Sequence, residues 1–136
     1  MVEINITYQG GLRTHAVHGP SGATLTTDAP LDNQGKGAAF SPTDLVATAL
    51  GTCIMTLLGI VGERHGMDLS RATIRVNKFM ASAPVRKIER LELVISVPGI
   101  TEAKDRKRLE QAALGCPVHA TLDGCCTLDL SFEWPE

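Results

Sequence analysis

Four thiols, Cys53, Cys116, Cys125 and Cys126, are the residues best equipped for chemistry in this chain. A cysteine reacts through its thiolate, so its surroundings decide whether it is a nucleophile or a small buried hydrophobe. Cys53 sits in Leu50-Gly51-Thr52-Cys53-Ile54-Met55, in the middle of an apolar run. Cys116 stands before Pro117, where the spacing predicts the start of a short helix. A sulfur at that cap faces unpaired N–H groups, whose partial positive charge is expected to lower the thiol pKa. His119, three residues on, is a candidate proton donor or a simple cap-side residue. Cys125 and Cys126 are adjacent and precede the last predicted strand. Successive strand residues point to opposite faces, so these two are not expected to share one partner. The spacing of Cys116, His119, Cys125 and Cys126 fits no closed tetrahedral zinc site, and no metal or other cofactor is expected. Asn33-Gln34-Gly35-Lys36-Gly37 lacks the spacing and the Ser/Thr of a phosphate loop.

The elements that must position these thiols are legible in the residue pattern. Ile4, Ile6 and Tyr8 alternate with polar residues and predict a strand; Leu12–His18 and Ala23–Asp28 predict two more in an antiparallel meander. Pro30–Phe40 reads as a loop. Ser41, Pro42 and Asp44 then carry the signals of a helix start, and Arg64, His65 and Gly66 those of its end. The helix Pro42–His65 would be about 36 Å long and, over Leu45–Val61, apolar on nearly every side. Strands follow at Ala72–Met80 and Ile88–Val97, the latter with Leu91, Leu93, Ile95 and Val97 on one face. Thr101–Leu114 and Pro117–Leu122 predict helices, and Thr127–Trp134 a final strand. The order is β-β-β-α-β-β-α-α-β, an α+β fold around a long central helix. One six-stranded sheet cannot wrap such a helix, so a second copy is expected to cover it, in an obligate homodimer burying more than about 2,000 Å².

Composition narrows the classes. The chain of 136 residues carries a net charge of −2, with 43% apolar and 4% aromatic residues. That suits a single domain over residues 1–136 and gives neither a basic footprint nor a stacking platform for nucleic acid. The N-terminal segment has no signal-peptide pattern. Leu45–Val61 is slightly short for a membrane span and is interrupted by Thr48, Gly51, Thr52, Thr56 and Gly59. A cytoplasmic protein with reduced thiols and no disulfide framework is expected.

Together these residues resemble the family of osmotically inducible protein C and organic hydroperoxide resistance proteins (OsmC/Ohr). The resemblance rests on Ser41-Pro42-Thr43-Asp44-Leu45, Ala49-Leu50-Gly51-Thr52-Cys53 and Cys116-Pro117-Val118-His119, with support from Asp28-Ala29-Pro30 and Gly35-Lys36-Gly37. It implies an intertwined homodimer with active sites at the subunit interface. It also implies a thiol peroxidase for organic hydroperoxides, in which Cys53 attacks, Cys116 resolves, and an external dithiol reduces the disulfide. Leu50, Ile54 and Leu57 would line the substrate site. The alternatives are a non-catalytic binder of a small apolar ligand between such side chains, and a redox sensor.

The resemblance further implies an arginine from the early strands and a glutamate early in the long helix. Arg13 is the candidate arginine, because a desolvated thiol needs a cation and a planar guanidinium can hold a thiolate and a peroxide oxygen together. Arg64 lies about 16 Å along the helix, and Lys36 offers only a point charge from a loop. The alternation Arg13, His15, Val17 leaves open which face is outside. At the glutamate position, ten residues before Cys53, stands Thr43, and the nearest carboxylate is Asp44.

Overall fold

The computed structural model describes residues 1–136, with the element order β1(Ile4–Gly10), β2(Arg13–His18), β3(Thr24–Asp28), a 3₁₀ turn Leu31–Asn33, α1(Pro42–His65), β4(Thr73–Ala81), β5(Lys87–Ser96), α2(Ala103–Leu114), α3(Pro117–Leu122) and β6(Thr127–Glu133). The six strands form two three-stranded sheets, β1-β2-β3 and β4-β5-β6, rather than one of six. Residue alternation identifies strands but carries no record of which distant strand each will pair with. The contacts gather into two compact units, residues 1–46 and 47–136.

In the first unit β1, β2 and β3 are antiparallel neighbours. Ile6, Ala16 and Leu25 share one row across the three strands, on a face where Ile4, Ile6, Tyr8 and Leu25 all stay exposed. The segment after β3 is a tightly bonded loop. Buried Asp28 accepts from the Ala38 N–H through Oδ2 at 2.9 Å, and its own N–H donates to Phe40 O. Gly35 passes so close to Ala29 that a Cβ would sit 1.7 Å from the Ala29 carbonyl oxygen. The glycines of this loop therefore serve close backbone packing. Ser41 and Asp44 form a reciprocal cap, with Asp44 N–H donating to Ser41 Oγ (3.1 Å) and Ser41 N–H to Asp44 Oδ2 (2.9 Å). Such a cap contributes about 1 kcal/mol and sets where α1 begins.

The second unit holds the core. Ala47, Leu50, Gly51, Ile54, Leu58 and Gly62 form the buried stripe of α1, at the three- and four-residue spacing of one helix face. Gly51 lets that stripe approach β4 closely, since a Cβ there would lie 3.0 Å from Val76 Cγ2. Central strand β5 contributes Leu91, Leu93 and Ile95, followed by Val97, all fully buried, each worth about 1.5–3 kcal/mol. Strand β4 pairs with β5 antiparallel and β6 pairs with it parallel. A parallel neighbour requires a crossover, which α2 and α3 provide. Helix α1 ends at Gly66, whose φ of +69° suits glycine, with Met67 N–H closing on Gly62 O at 2.8 Å. By length and mean hydropathy α1 would also pass as a membrane span, but core helices pass that test too, and its buried stripe packs on the sheet. In the single chain the other side of the helix, including Ala49, Thr52, Thr56 and Ile60, is exposed.

Candidate active site

Two thiols far apart in sequence meet in the second unit. Cys53 is half-buried at mid-α1, and Cys116 is fully buried at the N-cap of α3. Cys53 lies near enough to Cys116 to bear on its thiol. The local sequence explains the placement of Cys116. Gly115 closes α2 by donating to Ala112 O, Cys116 takes an extended backbone, and Pro117 opens α3 with its fixed φ. Cys116 Sγ then accepts from the His119 N–H at 3.3 Å.

The electrostatics of Cys116 run against the sequence expectation. Burial pushes its thiol up, as do the bond to Cys53 and the charge of Cys53, while the backbone N–H groups of His119 and Val118 pull it down. The helix-terminus effect is therefore present, but desolvation outweighs it. Cys53 lies too far from either end of α1 for the helix dipole to help it.

The other expected site residues are distributed as follows. Arg13 opens β2, is exposed, and faces Asp28 across the β2–β3 register. It belongs to the first unit, whereas both thiols belong to the second. Leu50 and Ile54 have no exposed surface and serve the core, while Leu57 packs half-buried at its edge. Asp44 is engaged in the cap, and Thr43 Oγ1 lies 3.2 Å from Ser41 Oγ. Cys125 and Cys126 are the surprise, because both line one open groove. Cys125 closes the turn and Cys126 is bridged to Asp123 just before β6, so exposed Cys125 and half-buried Cys126 run in phase with the alternation of that strand. Gly124, with φ +81°, is the sequence signal for that turn.

Comparison with known proteins places the whole assembly. The family model for OsmC-like protein matches residues 35–131. No curated protein matches the sequence. A solved structure named for an osmotic stress induced and detoxification response, from Psychrobacter arcticus, is 38% identical; it covers 98% of this chain and 96% of its own, with a TM-score of 0.90. An OsmC like protein from Mycoplasma pneumoniae shares 13% identity over 100% of this chain and 98% of its own, at TM-score 0.84. An organic hydroperoxide resistance protein from Elizabethkingia anophelis shares 18% over 98% of this chain and 95% of its own, at 0.79. The last two show likeness of fold.

Proposed function

The chain belongs to the OsmC-like family, and from that premise we propose that it is a thiol peroxidase for organic hydroperoxides, with Cys53 attacking and Cys116 resolving. The observation that carries the reading is the contact between a half-buried Cys53 and a buried Cys116 that holds its proton. Structural relatives named for organic hydroperoxide resistance support the substrate class.

In this reaction the Cys53 thiolate attacks one peroxide oxygen. The O–O bond breaks, the alkoxide leaves and takes up a proton as the alcohol, and Cys53 becomes a sulfenic acid. The Cys116 sulfur then attacks the Cys53 sulfur. An S–S bond forms, the S–O bond breaks, and the hydroxide leaves as water with the thiol proton of Cys116. An external dithiol returns both cysteines to thiols by exchange. By the family resemblance, Arg13 is the residue proposed to supply the cation that the attacking thiolate needs.

The working unit in this reading is a homodimer. The exposed row on β1 (Ile4, Ile6, Tyr8) is an apolar surface that a second copy would cover. Light scattering at micromolar concentration should give twice the chain mass, and Ile6→Asp should lower it; a wild-type monomer would remove the dimer from the proposal. The activity itself is tested by a dithiol-coupled assay. Wild type should turn over an alkyl hydroperoxide faster than hydrogen peroxide, and Cys53→Ser should turn over neither. Equal rates in wild type and Cys53→Ser would overturn the assignment.

A further inference from the structure

The first unit holds the one buried side-chain oxygen without a hydrogen-bond partner, Oδ1 of Asp28. Asp28 closes β3 and is only 1% exposed. Its Oδ2 takes the Ala38 N–H at 2.9 Å, so the loop after β3 uses one carboxyl oxygen and leaves the other. A buried acceptor left unmade is costly, which makes the group that faces it worth identifying.

Strand register identifies that group. Arg13 and Asp28 are directly opposed across β2 and β3. Ala29 N–H donates to Leu12 O, while Asp28 N–H turns away from β2 to Phe40 O. Arg13 and Asp28 are therefore a non-hydrogen-bonded pair, the kind whose facing side chains come closest. Opposed residues project from the same face, with Cβ atoms about 4.5–5.5 Å apart. The adjacent pair shows that this register brings side chains together, since the Thr14 and Thr27 hydroxyls bond each other on the opposite face. An arginine is long enough to carry its planar fork to a carboxylate at that separation. The turn before Arg13 is held firmly. Leu12 keeps φ +65°, strained for a leucine, while its N–H donates to Tyr8 Oη and its carbonyl accepts from Ala29 N–H, each at 3.2 Å. Lys36 is the rival cation, two residues before Ala38, but its ammonium rides a flexible stem from the loop, whereas the register sets Arg13 opposite the carboxyl.

We propose that Asp28 is the positioning residue of Arg13: its free Oδ1 accepts a guanidinium N–H and holds the fork in one orientation. No covalent bond changes. One edge of the fork is then occupied by Asp28 and the other stays open to a thiolate or a peroxide oxygen, so the ordering of a long side chain is done before substrate arrives. The pair itself lies within the first unit; only its effect on turnover rests on the reading of Arg13 as the cation for Cys53.

The test reads the pair and that effect separately. Asp28→Asn keeps an acceptor for the Ala38 N–H and turns an amide N–H₂ toward the guanidinium. By NMR the Arg13 Nε–H should exchange slowly in wild type and at least about 10-fold faster in Asp28→Asn, while Lys36→Met leaves it slow. Protection of the Ala38 N–H should be unchanged in Asp28→Asn, which reports an intact loop. Hydroperoxide kcat/KM should fall about 10-fold in Asp28→Asn, and adding Asp28→Asn to Arg13→Ala should cost nothing further, because partners in one interaction are not additive. Fast Nε–H exchange in both wild type and Asp28→Asn, or losses that add in the double variant, would reduce Asp28 to a loop staple and overturn the proposal. Slow exchange lost in Asp28→Asn, with turnover unmoved in both Asp28→Asn and Arg13→Ala, keeps the pair and removes Arg13 from the peroxidase reading. If Asp28→Asn does not fold, the carboxyl ¹³C signal of Asp28 decides from the other side: it should shift in Arg13→Ala, and an unmoved signal overturns the pair.

Discussion

The second unit carries two thiol pairs built on opposite plans. Cys53 and Cys116 come from different helices and meet within the core, where one is fully buried. Cys125 and Cys126 are covalent neighbours on a turn, open to a groove. Nearness in sequence thus gives the pair less able to close on itself, and tertiary packing gives the pair whose thiols are already in contact. Disulfide chemistry depends on the Cα separation that the fold sets, and nearness along the chain does not supply it.

The comparison is most sharply broken through Cys53. Cys53→Ser should lower hydroperoxide turnover by at least about 10³-fold, roughly 4 kcal/mol of barrier, whereas Cys125→Ser should leave it intact. Mild peroxide should link Cys53 to Cys116, with little Cys125 or Cys126 in the bridge by mass mapping; oxidation of the adjacent pair first, with Cys53 untouched, would reverse the assignment. Next in size is Arg13→Ala. A thiol within an apolar helix has its charged form disfavoured, so losing the cation should raise the Cys53 pKa and slow turnover by about 10²-fold, on the order of 3 kcal/mol. Alkylation rate against pH reads the pKa directly. Unchanged titration and turnover would make Arg13 a surface residue.

A smaller effect separates the pairs by their supports. In Gly51→Val the new side chain meets Val76 Cγ2, already 3.0 Å from a Cβ position, and overpacking of this kind costs about 1–3 kcal/mol. The shifted seat of α1 should slow closure of Cys53 on Cys116. Alkylation of exposed Cys125 should not change, because the turn that carries it lies outside α1. Urea unfolding and the two chemical readouts check the three parts separately. Equal loss at both pairs would mean that the second unit responds as a whole.

What could be read in advance was what local chemistry determines. The bounds of α1 were legible because Ser41, Asp44 and Gly66 make their bonds within a few residues of the helix ends. The inward face of β5 was legible because alternation is a property of the strand itself. Pairing of strands into two sheets was not, since it joins residues far apart in sequence. The protonation of Cys116 was misread for a related reason. The cap was visible in Cys116-Pro117, but the burial that outweighs it comes from elements elsewhere in the chain. The turn at Gly124 was legible as well, because glycine at positive φ marks it within four residues.

The smallest expected effect follows from that protonation and has a definite sign. The Cys116 thiol is raised in the folded chain above its ordinary value of 9.0, chiefly by burial. Above the ordinary value the unfolded chain has lost a proton that the folded chain still holds, so stability falls as pH rises. The contribution is fully present below 9.0 and is lost as pH climbs through the folded pKa. Cys126 is raised too, but Lys87 opposes the shift, so its share should be smaller. Urea midpoints from neutrality to about pH 10 should therefore decline in wild type, decline less in Cys116→Ser, and change only slightly in slope in Cys126→Ser. Serine suits the experiment because it does not titrate in this range and can accept the His119 N–H as an N-cap. Every other ionisable group is common to the compared proteins and leaves the differences in slope intact. Parallel declines in wild type and Cys116→Ser would show that the buried thiol carries no excess proton.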